Sequence, residues 1–189
     1  LDAMTERFGR YLDVDGDGIP YRTYPGAHPT KGAYFTRGSS RDEYAAYTED
    51  GDVYVRNMDR LLQKFETAKS LVPEAKIKMA EAPTQDALLF FGTTASPAYE
   101  ALEMLEKEGI HLNTLRLRSF PFTQEVEDFI EAHDRIFVIE QNRDGQMRRL
   151  LLNETETAPR MSSLLGFVRR HRSHGQALAS GIWLPSSLC

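Results

Sequence analysis

The stretch Ala87-Leu88-Leu89-Phe90-Phe91-Gly92-Thr93-Thr94-Ala95-Ser96-Pro97-Ala98 decides how this chain folds. Its first five residues form an unbroken apolar run, the pattern of a strand covered on both faces. Gly92 then turns the chain. Ser96 suits a helix N-cap and Pro97 the first helical position, where its missing N–H costs nothing. Ala98, Ala101, Leu102 and Leu105 line one face of the helix that follows, and Gly109 ends it. The same alternation continues downstream. Leu112 to Leu117 reads as a strand with Leu115 and Leu117 on one face and Arg116 and Arg118 on the other, which places it at a sheet edge. Thr123 is expected to cap a helix through Val126, Phe129 and Ile130. Arg135 to Ile139 is a further buried strand, and Asp144 is expected to cap a last helix through Met147, Leu150 and Leu151. Strand, helix, strand, helix, strand, helix predicts an α/β fold with a parallel, doubly wound sheet.

Upstream, Val55, Met58, Leu61, Leu62, Phe65, Ala68 and Val72 recur at helical spacing and predict an amphipathic helix ended by Pro73. Arg56, Asp59, Arg60, Lys64 and Lys69 on its other face are expected to be solvated. Residues 1–48 hold no period for long and are rich in Gly, Pro, Asp and Tyr. Eight aromatic side chains between Phe8 and Tyr47 speak against a floppy spacer and for a connector that packs on another surface. In isolation this connector is expected to be poorly ordered, and residues 86–152 protected. The domain reading is therefore a connector over 1–48, an α/β domain over 49–167 and an atypical tail over 168–189.

The chain has 189 residues, 23 basic and 28 acidic side chains and a net charge of −5, which argues against a nucleic-acid footprint. A hydrophobic fraction of 41% supports a core rather than a disordered chain. No apolar run approaches the length of a membrane span, and no basic-then-apolar leader opens the chain. Cys189, the single cysteine, excludes a disulfide framework or a cysteine-ligated cluster within these residues. A soluble, cytoplasmic piece of something larger is the expectation.

Candidate chemistry is sparse. Asp13-Val14-Asp15-Gly16-Asp17-Gly18 resembles the opening of a calcium loop, yet Tyr24 stands where the twelfth position needs a bidentate Glu. An Asp/Gly turn is the simpler reading, and Gly16-Asp17-Gly18 lacks the preceding strand that a thiamine-diphosphate magnesium motif requires. Gly92, Thr93, Thr94 and Ser96 join a buried strand to a helix N-terminus, a place suited to an anion. Glu140, Gln141, Asn142 and Arg143 follow another strand at its carboxyl end, where open α/β sheets place ligands or contacts. His28, His111 and His133 stand without metal-ligand spacing, and Ser162 and Ser163 lack a nucleophile elbow. No catalytic, cofactor-binding or metal-ligating constellation is read.

Four strings carry a family resemblance: FGRYLDVDGDGIPYRT (8–23), TKGAYFTRG (30–38), YVRNMDRLLQKFETA (54–68) and FPFTQEVEDFIEAHDRIFVIEQNRDGQMRRLLLNE (120–154). Together they resemble the alpha subunit of 2-oxoacid:ferredoxin oxidoreductases, in particular the 2-oxoglutarate enzymes. Arg41 departs from the family's usual His. The resemblance implies a transketolase C-terminal-like domain behind a connector from a thiamine-binding domain. It further implies a complex that converts 2-oxoglutarate and CoA to succinyl-CoA and CO2 and reduces ferredoxin. Thiamine diphosphate, magnesium and an iron–sulfur cluster would sit elsewhere in that complex, with the beta subunit as partner, so that this chain is a scaffold inactive alone. The alternative is a stand-alone α/β module that binds an anion or a partner at the two loops.

The tail carries a separate expectation. All 28 acidic side chains precede residue 158, and the remaining residues carry Arg160, Arg169, Arg170 and Arg172 instead. Codons permitted for residues 169–176, displaced by one base, spell Asp-Gly-Ile-Gly-His-Thr-Ala-Arg, which shares Asp-Gly and Thr-Ala-Arg with the family's ending. A reading-frame error after about Phe167 is therefore expected.

Overall fold

The computed structural model describes residues 1–31, 38 and 40–155, and the backbone of 161–165. The expected frame error after Phe167 lies outside these residues. Two compact units divide the chain, Leu1–Leu71 and Val72–Cys189.

The second unit is the α/β unit. Its strands are β1 (Lys76–Lys78), β2 (Asp86–Phe91), β3 (Asn113–Leu117), β4 (Arg135–Glu140) and β5 (Met161–Leu165). They form one sheet in the order β1-β3-β2-β4-β5, in which β3, β2, β4 and β5 run parallel and β1 is antiparallel. Helix α2 (Ala95–Lys107) joins β2 to β3, α3 (Gln124–Glu131) joins β3 to β4, and α4 (Gln146–Glu154) leads from β4 to β5.

The apolar run at 87–91 explains the layering. Strand alternation sends Ala87 and Leu89 to one face and Leu88 and Phe90 to the other. The first pair packs with Val126, Phe129 and Ile130 of α3 and Leu151 of α4. The second pair packs with Ala98, Ala101, Leu102 and Leu105 of α2. Each of the four β2 side chains is 0% exposed. Full burial of a Leu or Phe contributes roughly 1.5–3 kcal/mol, so β2 anchors both halves of the core. The register is fixed at its amino end. Asp86 faces Arg135, and the guanidinium grips both carboxylate oxygens at 2.7 and 2.5 Å. That bond, first among its causes, raises the Arg135 pKa from its ordinary value.

Several sequence expectations need correction. β3 is not an edge strand, because Lys76-Ile77-Lys78 pairs along its outer side. Three residues are too few to show a period, but exposed lysines on both sides of Ile77 are how edges avoid further pairing. Helix α2 starts at Ala95 after a 3-10 turn over Gly92–Thr94, so Thr94 occupies the cap position and Ser96 lies exposed inside the first turn. Likewise Gly145, not Asp144, caps α4; its φ of 60° is a left-handed conformation that glycine adopts without strain. Thr123 does stand at the α3 cap, although its side chain makes no capping bond.

The first unit contains α1 (Gly51–Lys69), capped by Asp50, whose carboxylate accepts from the Asp52 and Val53 amides at 2.9 and 3.0 Å. Here the sequence reading holds in part, with Arg56 and Asp59 exposed. The polar side of α1 is not merely solvated: Arg60 donates to the Gly18 carbonyl at 3.0 Å, Gln63 to the Gly16 carbonyl, and Thr67 to the Asp17 carbonyl at 2.5 Å. Asn57 donates to the Arg41 carbonyl, and Arg56 reaches the Glu43 carboxylate at 3.2 Å. Residues 57, 60, 63 and 67 recur every three or four positions, so one side of the helix holds the connector. The Gly18 backbone lies so close that a Cβ there would meet the Lys64 nitrogen at 2.5 Å. No residue of α1 is buried.

Candidate functional site

The chain leaves β2 toward the face that carries α2, and leaves the neighbouring β4 toward the face that carries α4. Carboxyl ends of adjacent strands whose connections diverge in this way form the crevice where open α/β sheets bind ligands. Topology therefore brings both loops singled out from the sequence, 92–96 and 140–145, to one place. We take this switch point as the candidate site.

Glu140 is the last residue of β4 and is 0% exposed. One carboxylate oxygen accepts from the Arg148 amide at 2.8 Å; the other accepts from the Met147 amide at 2.9 Å and from the Asn142 side-chain amide at 2.6 Å. Asn142, so oriented, presents its oxygen to the Asp144 and Gln146 amides at 3.2 and 3.1 Å. Two side chains thus satisfy the donors that open α4, which no ordinary N-cap residue serves. The carboxylate stands where an external anion would bind at this helix end. Gln141 is exposed, and Arg143 turns outward to pair with Asp144 at 2.6 Å.

The other loop is built differently. Gly92, with φ 57°, closes the short turn by accepting from the Ala95 amide. Thr94 is buried and makes no capping bond, while Gly92, Thr93 and Ser96 are exposed. Two cavities lie elsewhere. One of about 280 Å³ is lined by Glu6, Arg7, Phe8, Arg10, Thr23 and Lys31. The other, about 70 Å³, is lined by Lys78, Tyr99, Leu102, Glu103, Glu106 and Thr114.

Asp13, Asp15 and Asp17 do bring carboxylate oxygens within 4.8 Å of one another. Their contacts are those of a turn. Asp13 accepts from the Gly16 and Gly18 amides at 2.9 and 3.0 Å, and Asp17 accepts from the Ile19 amide at 2.7 Å. Burial raises the Asp13 pKa, but the amides of Gly18, Gly16, Asp15 and Asp17 outweigh it and hold the carboxyl below its ordinary value. The Gly16, Asp17 and Gly18 carbonyls are taken by α1.

Among the described residues, the histidines form no metal-binding group. His28 pairs with Asp2 at 2.9 Å, and His133 is buried far along the chain. Sequence reading missed the role of His133. Its Nδ1 faces the Phe129 carbonyl at 2.6 Å, so Nδ1 carries the proton and Nε2 accepts from Asn113 at 2.9 Å. Asn113 also accepts from the Ala80 amide at 2.8 Å and donates to the Thr84 carbonyl at 3.2 Å. An asparagine opening an apolar strand was the available signal.

No protein-family profile matches the chain. It is, however, 31% identical over 163 residues, 84% of its length, to 2-oxoacid:ferredoxin oxidoreductase 2, subunit alpha, of Aeropyrum pernix. This chain belongs to the 2-oxoacid:ferredoxin oxidoreductase alpha-subunit family. In structure it resembles a 2-oxoglutarate:ferredoxin oxidoreductase from Magnetococcus marinus, solved with 2-oxoglutarate, coenzyme A and succinyl-CoA bound. The TM-score is 0.69 at 16% identity, over 93% of this chain and 30% of that one. At that identity the likeness shows the fold. The chain spans about a quarter of the length of its Aeropyrum relative. Among the described residues, no helix of this alpha-subunit homologue is long and apolar enough to cross a membrane.

Proposed function

We propose that this chain is the scaffold and subunit-contact part of a cytoplasmic 2-oxoglutarate:ferredoxin oxidoreductase alpha subunit. In that complex 2-oxoglutarate and CoA give succinyl-CoA and CO2, and the two electrons released pass to ferredoxin. The beta subunit is its partner, and thiamine diphosphate, magnesium and an iron–sulfur cluster act outside this chain. The carrying observation is the Aeropyrum alpha-subunit match over most of the chain. The residues present do not fit the cofactors. Gly16-Asp17-Gly18 sits in a turn clamped to α1 rather than behind a strand, its three carbonyls already bonded. Cys189 is the only thiol. No chemical step is therefore assigned to these residues.

The second reading, a stand-alone anion-binding module, is weaker at the 140–145 loop because Glu140 and Asn142 already occupy the α4 amides. Gly92, Thr93, Thr94 and Ser96 keep the possibility for α2 alone. The test is an assay of purified chain with 2-oxoglutarate, CoA and either ferredoxin or an artificial acceptor. No turnover is expected until the rest of the alpha subunit and the beta subunit are supplied. Turnover that tracks with the isolated chain through purification refutes the scaffold role.

A further inference from the structure

An amphipathic helix in a folded unit ordinarily buries its apolar stripe and exposes its charges, since apolar burial is what stabilises the packing. Helix α1 does so only in part: Met58, Leu61 and Ala68 are half-buried, and the rest of its apolar stripe is not. Its polar side, through Asn57, Arg60, Gln63 and Thr67, is bonded to the connector. On the opposite side Tyr54, Val55 and Leu62 are 50, 55 and 66% exposed. Positions 55 and 62 lie two turns apart on one line along the helix, with Tyr54 flanking them. The unit around them is equally unfinished: among the described residues of Leu1–Leu71, only Gly18 and Thr23 are buried, and no apolar side chain is. A unit of this size without a core of its own does not stand alone.

We infer that the Tyr54–Val55–Leu62 side of α1 is a docking face for an apolar groove on the remainder of the alpha subunit, the part that this chain does not contain. The inference rests on the alpha-subunit reading above and adds the surface. Three observations select this occupant. The chain spans only 25% of its Aeropyrum relative, so three quarters of such a subunit has no counterpart here. A face this small is too little for a stable dimer of separate chains, which needs roughly 800 Å² from each partner. Covalent continuity removes that requirement, because association within one chain carries no loss of translational freedom.

The experiment reads thiol labelling at the stripe. Cys189→Ser removes the native thiol, and Leu62→Cys places one on the face; Arg56→Cys, exposed on another side of the helix, serves as the control. Labelling is compared between the full chain alone and a chimera in which this chain replaces the matched region of the Aeropyrum alpha subunit. Position 62 is expected to react freely in the monomeric chain and at least about tenfold more slowly in the chimera, with position 56 unchanged. Should the chimera not fold, the whole chain is joined through a flexible Gly/Ser linker to the remainder of that subunit and labelled again. Equal reactivity of position 62 with and without the remainder overturns the inference. So does slow labelling in the monomeric chain alone, or in a chain that proves dimeric. Oxidoreductase turnover of the chimera with its beta subunit is read in parallel. Loss of turnover with position 62 still protected fails the proposed function and leaves the docking face standing; turnover with position 62 reactive fails the docking face alone.

Discussion

Replacing Glu140 by Gln keeps the shape of the side chain and changes one oxygen into an amide. In the structure both carboxylate oxygens accept from backbone amides of the first turn of α4, at 2.8 and 2.9 Å. One of these bonds becomes two donors facing each other inside a fully buried site. A hydrogen bond to a charged group is worth about 1.5–3 kcal/mol net, and an uncompensated buried donor costs a similar amount when its partner is removed. The carboxylate also faces the positive end of α4, a contribution of about 0.3–1 kcal/mol. These effects overlap, so Glu140→Gln is expected to lower stability by about 2–4 kcal/mol. Glu140→Ala, which also frees the Asn142 amide, should cost no less. Urea unfolding followed by far-UV circular dichroism gives the magnitude, and hydrogen exchange at the Met147 and Arg148 amides locates it. If Glu140→Gln changes stability by less than about 0.5 kcal/mol, the range of ordinary surface substitutions, the capping role is wrong. Exchange that accelerates across the whole sheet and spares those amides would refute it as well.

Asn113→Ala removes three hydrogen bonds, to the Ala80 amide, the Thr84 carbonyl and His133, and should cost about 2–4 kcal/mol in the same unfolding assay. A double-mutant cycle with His133→Phe tests the pair, and strictly additive losses would sink the proposed bond between them. For Asp13 the sign follows from its lowered pKa. The carboxylate contributes stability above the unfolded carboxylate range, and that contribution is lost as pH falls through the folded value. Protection of the Gly16 and Gly18 amides, referred to the intrinsic exchange rate at each pH, should therefore fall in acid. Asp13→Asn should reproduce that state near neutral pH, and indifference of both amides to acid would count against it.

The sheet was legible because its signals are local and redundant. Ala87–Phe91 and Ile136–Ile139 are runs that only a strand covered on both sides accommodates, and each is flanked by a helix of matching period. Ends were read less well. Ser96 is an excellent cap by type, yet a 3-10 turn over Gly92–Thr94 started α2 two residues earlier. Asp144 looked like a cap because it precedes the helix, whereas the donors it would serve are taken by Glu140 and Asn142 from behind. Such bonds depend on where β4 delivers its last side chain, which no spacing rule encodes. The Asn113–His133 contact joins residues twenty positions apart and was invisible for the same reason. Helix α1 misled most: period identifies an apolar side, but not whether this chain supplies the surface that covers it.

The two units answer differently to separation from a larger assembly. In Val72–Cys189 the apolar side chains of β2 close against helices on both faces, and at the switch point Glu140 takes amides that open α4. That unit has its own core. Leu1–Leu71 has the opposite economy: hydrogen bonds from α1 hold a turn of three aspartates, while aromatic and aliphatic side chains remain outside. Hydrogen bonds of this kind, part-buried or exposed, contribute about 0.5–1.5 kcal/mol each and cannot replace a core. The first unit should then be the part whose folding depends on its surroundings. Its value to an alpha subunit would lie in that dependence, since a segment that orders only against the remainder couples correct assembly to its own folding.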